Sequence, residues 1–162
     1  MKPINVWRNE FVEVPPSDRV QRLDGRSGQP TLKVENIFLH SRYNPTEEAE
    51  RLVASSNLSA DRPVLVVGLG LGYHVAELLR HKMDVAVIEP DAAVAKLATA
   101  ESIGEEDFLL GVGDLGEITK HAVFKAFARR MPQLLIHPPT ARIHPQYANG
   151  ISEHLSRAAL DG

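Results

Sequence analysis

The stretch Val64–Leu79, VLVVGLGLGYHVAELL, constrains the fold more than any other part of the chain. Val64 to Val67 is an unbroken aliphatic run without polar alternation, the pattern of a strand covered on both faces. Gly68, Gly70 and Gly72 follow at every second position, and the residues after them return to a helical apolar spacing. A strand that turns through glycine straight into a helix opens a strand-helix-strand unit. Covering both of its faces requires helices above and below the sheet.

The alternation continues downstream. Tyr73 to His81 reads as a helix and Val85 to Ile88 as a strand. Asp91 to Glu101 reads as a helix capped by Asp91, with Val94, Leu97 and Ala98 inward, and Phe108 to Val112 as a third strand. Asp114 and Glu117 have capping-box spacing ahead of one helix through Ile118, Ala122, Val123 and Phe127, which ends at Arg129, Arg130, Met131 and Pro132. Leu134 to Ile136 is the fourth strand, and Tyr147, Ile151, Leu155 and Ala158 line a last helix. Upstream, Asn44 as N-cap, Pro45 in the first helical position and Glu47 open a helix over 45–57. Residues 1–43 are punctuated by Pro-Pro, Asp-Gly and Gly-Gln-Pro, with short strands or hairpins expected around Val20 to Leu23 and Thr31 to Leu39. The expectation is an α/β fold: a doubly wound, mainly parallel, Rossmann-like sheet over 44–162, with a β-rich extension over 1–43. At 162 residues and 43% hydrophobic content the two parts are expected to form one compact unit.

The formal charge of −3 gives no electrostatic reason to expect nucleic acid as a partner. The chain has no cysteine, which excludes disulfides and thiolate metal sites. Its first residues, MKPINVWRNEF, lack an apolar signal region, and no apolar run approaches a membrane span. A cytoplasmic protein with a small-molecule substrate and no membrane partner is expected. An open sheet edge needs cover, which the N-terminal strands or a homodimer would provide.

In an open parallel sheet, ligands bind beyond the carboxyl ends of the strands where the winding reverses. Gly68, Gly70 and Gly72 lie at such an end, where glycine lets the backbone approach a ligand and the N–H groups of the following helix favour a negative group. The spacing is GxGxG. The dinucleotide fingerprint GxGxxG needs glycine where Tyr73 stands, so NAD is the poorer fit. A tight turn with close helix packing accounts for the same glycines. Glu89 closes the second strand, nineteen residues after Gly70, where a carboxylate can accept hydrogen bonds from both ribose hydroxyls. Its removal is expected to weaken an adenosine ligand and leave the fold stable. Asp114, after the third strand, is open to two readings: a contact to an adenine amino group, or the N-cap of the next helix.

The motifs VLVVGLGLG, VIEPD and GVGDLGEI, in this order, resemble the cofactor-binding half of class I S-adenosylmethionine-dependent methyltransferases over roughly residues 60–140. By that resemblance Gly68, Gly70 and Gly72 face the methionine part of S-adenosylmethionine, Glu89 holds the ribose and Asp114 touches adenine. The flanking motifs LHSRYNPTEEAERL and IHPPTARIHPQY resemble the MptE-like family of archaeal 6-hydroxymethyl-dihydropterin diphosphokinases and flagellin-glycosylation accessory proteins. That resemblance implies nucleotide or nucleotide-sugar ligands, with ATP and magnesium as the alternative cofactor.

HPPT, His137 to Thr140, stands where amine methyltransferases carry Asp or Asn, two prolines and an aromatic residue. His137 in place of the acid speaks against amine methylation and leaves two readings, a general base or a partly exposed histidine on a rigid Pro-Pro loop. Arg42 is a candidate to pair with a carboxylate or phosphate, and Tyr43 either folds over the ligand or staples the helix behind it. His40, His74, His81, His121, His144 and His154 show no zinc-ligand spacing, and no metal is assigned. Three functions therefore stand open: a methyltransferase or S-adenosylmethionine-binding domain acting on a small acceptor, an MptE-like nucleotide-handling transferase, and a non-catalytic binding module.

Overall fold

Strand and helix alternate through most of the computed structural model, which describes residues 5–6, 18–101 and 108–161. In chain order the elements are β1 (Asn5–Val6), β2 (Val20–Asp24), β3 (Pro30–Val34), β4 (Ile37–Phe38), α1 (Pro45–Ser55), β5 (Val64–Val67), α2 (Tyr73–Arg80), β6 (Val85–Glu89), α3 (Ala92–Glu101), β7 (Leu109–Val112), α4 (Leu115–Ile118), α5 (Ala122–Ala128), β8 (Gln133–Ile136), α6 (Pro138–Ile143) and α7 (Pro145–Leu160). The main sheet runs β1-β7-β6-β5-β8, and every neighbouring pair in it is parallel. This is a Rossmann-like α/β fold, with β2, β3 and β4 in a second, antiparallel sheet.

The aliphatic run behaves as its composition dictates. All four side chains of β5, an interior strand between β6 and β8, are fully buried, and each contributes about 1.5–3 kcal/mol of burial free energy. Its two faces feed different cores: Val64 and Val66 join Leu78, Val87 and Leu110 on one side, while Leu65 and Val67 join Ile88, Ile118, Phe124 and Ile151 on the other. A third cluster fastens the small sheet: Leu32, Val34 and Leu39 pack with Leu71, Tyr73, Ala93 and Val94. Thus Leu69 anchors the glycine turn in the first core and Leu71 anchors it in the third.

Of the strands or hairpins expected over Thr31 to Leu39 the structure has a hairpin, because Glu35 and Asn36 both take positive φ (49° and 68°) and reverse the chain. Two expectations need correction. The single helix expected after Asp114 is broken at Thr119–His121, where the His121 imidazole accepts a hydrogen bond from Val123 N–H and caps a new helix. The HPPT segment is not a loop: Pro138 and Pro139 occupy the first positions of α6, where their fixed φ suits a helix and no N–H is needed. The N-terminal residues divide, Asn5–Val6 pairing with β7 in the main sheet while β2 to β4 form their own. Pro15 and Pro16 lie outside the described residues.

Other caps agree with the sequence. Asn44 Oδ1 accepts from Glu47 N–H (3.0 Å) and Asp91 Oδ1 accepts from Ala93 N–H (2.9 Å). Among the described residues no helix is long and apolar enough to cross a membrane.

Because Leu71 pins the turn beneath the small sheet, Leu71→Ala is expected to lower the unfolding free energy by about 2–5 kcal/mol. Urea denaturation checks this, and a loss below 1 kcal/mol would mean that the third cluster does not hold the turn.

Candidate functional site

The winding reverses at β5, which has β6 on one side and β8 on the other. The carboxyl ends of β5 and β8 therefore flank the crevice where such sheets bind ligands. On this rim stand Gly68–Gly72 after β5, Glu89 at the end of β6, Asp114 after β7 and His137 after β8.

The glycine turn requires its glycines twice over. Gly68, Gly70 and Gly72 all have positive φ (101°, 53° and 93°). A Cβ on Gly68 would lie 2.3 Å from Thr140 Oγ1, and one on Gly70 would lie 2.5 Å from His40 Nε2. The space that glycine leaves open is filled by the chain's own side chains, as the close-packing reading holds. The turn's N–H groups are engaged as well. Gly68 donates to the Ile88 carbonyl and Gly72 to that of Leu69. Leu69 and Gly70 donate to Glu89 Oε1 (2.8 and 3.3 Å), and Leu71 donates to His40 Nε2 (2.8 Å). The following residues, Tyr73, His74 and Val75, are buried. The expected anion cradle is thus closed from within.

Glu89 is 2% exposed rather than a surface acid. Besides the two turn N–H groups it accepts from Asp91 N–H through Oε2 (2.9 Å). Burial pushes its carboxyl up to about 7, against the opposing pull of these backbone donors. The expectation that its removal spares the fold is corrected, since an alanine would strand three buried donors at about 1–3 kcal/mol each. Asp114 is exposed and precedes α4, but its side chain makes no cap hydrogen bond, so the carboxylate remains at the rim. The adjacent Gly113 carbonyl accepts from the Tyr147 hydroxyl, which ties α7 to this edge.

His137 is buried, not partly exposed. Its ring stacks parallel on His74 (centroids 4.4 Å apart, 2° between planes), and His40 completes a cluster, 5.3 Å from His137 and 6.1 Å from His74. His74 Nε2 lies 2.7 Å from the Gly68 carbonyl and must donate its proton there, since a carbonyl only accepts. His137 Nδ1 lies 2.8 Å from Thr140 Oγ1. His40 is placed by Thr31, whose hydroxyl donates to its carbonyl, and by the edge of the Tyr73 ring. Burial lowers the affinity of all three rings for a proton, to about 4 at His74, and proximity to His74 adds to this at His40 and His137. They are neutral imidazoles near pH 7.

These rings form one wall of a cavity of about 210 Å³ whose other walls include Leu39, Leu52 and the Pro138–Pro139 pair, with Glu48 also among the lining residues. Arg42 is not among its lining residues; its guanidinium lies over the Phe38 ring at 4.7 Å. Tyr43 is exposed beneath the Arg26 guanidinium rather than stapling α1. Neither His40 nor His74 has zinc-ligand spacing in the sequence. They stand 34 and 63 residues apart along the sequence from one another and from His137, so only the sheet topology joins them. The one local hint was His74, placed in the first turn of the helix that follows the glycines.

No family model matches the chain. Over 79 residues it is 40% identical to an uncharacterized protein of Treponema pallidum (strain Nichols), a match covering 45% of this chain and 27% of the relative. Among solved structures it resembles the MAf glycosyltransferase from Magnetospirillum magneticum AMB-1, with a TM-score of 0.57 at 13% identity, over 93% of this chain and 32% of that one. At that identity the likeness is one of fold. The chain spans about a third or less of each protein it matches.

The raised Glu89 value has a consequence for stability. The folded carboxyl holds its proton up to about 7, the unfolded one only to about 4.5, so the contribution of Glu89 is complete below the lower value and is lost as pH rises through the upper one. Glu89→Gln removes this titration. Between pH 5 and 8 the unfolding free energy of the unmodified protein should fall relative to that of Glu89→Gln. A difference constant across the window would show that the folded carboxyl ionises as it does in the unfolded chain.

Proposed function

We propose that this chain is the nucleotide-binding domain of a transferase that uses a nucleotide-activated donor, of the kind associated with protein glycosylation. The observation that carries the reading is the cavity at the β5/β8 switch point, bordering a rim that ends in the uncapped carboxylate of Asp114. The donor's base and ribose lie along the rim toward Asp114, and its transferred group points into the cavity. Glu89 braces the turn from below. The likeness in fold to MAf glycosyltransferase over nearly the whole chain supports this choice over a methyltransferase.

S-adenosylmethionine is the second reading, favoured by the order of glycine turn, Glu89 and Asp114 along one rim. It requires the methionine part to lie on the glycine faces, which Thr140 and His40 occupy. Magnesium would accompany the phosphates of a nucleotide rather than a dedicated protein cage.

A panel of CMP, ATP with magnesium, S-adenosylhomocysteine and NAD in thermal-shift and calorimetric titration tests the assignment, since a ligand of the native state raises its apparent stability. CMP or ATP with magnesium should give the largest shift. Asp114→Ala should weaken that ligand by about 1.5–3 kcal/mol, as for a hydrogen bond to a charged group, without changing the melting temperature of the free protein. A shift with S-adenosylhomocysteine alone would return the chain to the methyltransferase reading, and an unchanged affinity in Asp114→Ala would remove Asp114 from the site.

A further inference from the structure

We infer that His40, His74 and His137 form a binding site for a divalent transition metal of the zinc class, with an open coordination position facing the cavity. The inference does not depend on which nucleotide, if any, the rim holds. Each residue offers one ring nitrogen, and these atoms lie within 4.8 Å of one another. All three side chains are buried, and the cluster joins three separate parts of the fold: the segment before α1, the first turn of α2 and the end of β8.

The donor chemistry selects the ion. Three neutral imidazoles without thiolate suit Zn²⁺, Co²⁺, Ni²⁺ or Cu²⁺ and do not suit calcium or magnesium, which take oxygen ligands. Three protein ligands plus one free position is also the pattern of metal sites that act on a bound water or substrate oxygen. The free position falls toward the cavity, where Glu48 is the one carboxylate among the lining residues.

The hydrogen bonds around the rings bear on the same point. His74 donates Nε2–H to the Gly68 carbonyl, which fixes its tautomer and leaves Nδ1 as the ligand atom, the usual outer-shell arrangement for a metal-bound histidine. A proton on His137 Nδ1, donated to Thr140 Oγ1, would leave Nε2 to ligate; the Leu39 carbonyl also accepts from this ring, a bond to be given up if Nε2 is its donor. His40 differs. Its Nε2 accepts from Leu71 N–H, and an imidazole that ligates through either nitrogen carries its proton on the other and has no acceptor left. Metal binding must therefore free the Leu71 N–H in the middle of the glycine turn. The stacked rings of His74 and His137 must also turn out of parallel, because one ion cannot lie in two parallel ring planes. Loading the site thus reaches directly into the turn at Gly70–Gly72.

The test uses the whole chain, freed of metal with a chelator and titrated with Zn²⁺ by calorimetry and with Co²⁺ by visible absorption. One equivalent should bind, with the d–d spectrum of a nitrogen-ligated Co²⁺ site. His74→Gln and His137→Gln should each weaken binding by at least 10-fold, whereas His81→Gln and His154→Gln should not. In the unmutated protein, amide exchange at Leu71 should accelerate on adding Zn²⁺, a readout that stands even where a cluster variant fails to fold. Absence of a stoichiometric site, binding lost with His81 or His154 instead, or unaltered exchange at Leu71 would each overturn the inference.

Discussion

The backbone N–H groups of one five-residue turn govern this structure. A turn at the carboxyl end of an interior parallel strand leaves its donors inside the protein, where an unpaired N–H costs about 1–3 kcal/mol. The chain meets that demand with two buried side chains from distant places, the carboxylate of Glu89 and the imidazole of His40. Both must be near for the donors to be paired, and only glycine at 68 and 70 allows the second of them and Thr140 to approach. The turn, the end of β6, the segment ahead of α1 and the start of α6 are therefore one packed unit. Of the side chains that close it, His40 also lines the cavity.

That unit couples the two sheets. Tyr73 donates its hydroxyl to the Pro30 carbonyl and sets the edge of its ring against His40, so the small antiparallel sheet is held to α2 by polar and apolar contacts together. Arg19 extends the attachment by pairing with Asp91, the residue that also caps α3 and donates its N–H to Glu89. A chain of hydrogen bonds thus runs from the small sheet through Asp91 and Glu89 into the turn.

The elements from residue 44 onward were largely legible because each rests on a local signal. An unbroken aliphatic run bounded by proline and glycine favours a strand covered on both faces, and Asn44-Pro45 and Asp91 each stand where a helix cap is expected. The failures have equally local causes. Over Thr31 to Leu39 strand and hairpin stayed open as alternatives, because Glu35 and Asn36 carry no glycine to announce a reversal, yet both adopt positive φ. His121 is an unusual cap, so the break before α5 left no trace in the apolar spacing. Proline pairs mark loops and helix starts alike, and Pro138–Pro139 open α6. The site was legible only as a rim. Glu89 was placed correctly in the chain, but its role as an internal acceptor depends on a burial that no spacing reveals. The histidine cluster depends on three segments meeting, and nothing in the sequence around any one of the three points to the others.

The charge state of the cavity follows from this construction and bears on what it accepts. Its walls are aliphatic side chains, two prolines, the side chain of Glu48 and three rings that burial keeps neutral. Neutral imidazoles present dipoles to a ligand but no net charge, and Glu48 adds no cation, so the cavity lining gives a phosphate no reason to leave water, and anionic groups belong on the outer rim. A doubly charged ion on the same rings would invert this preference, drawing oxygen donors inward and at the same moment releasing the Leu71 N–H toward them. The closed turn and the neutral rings are in this sense one state of the site. The fold holds the means to leave it in the three nitrogen atoms that close it.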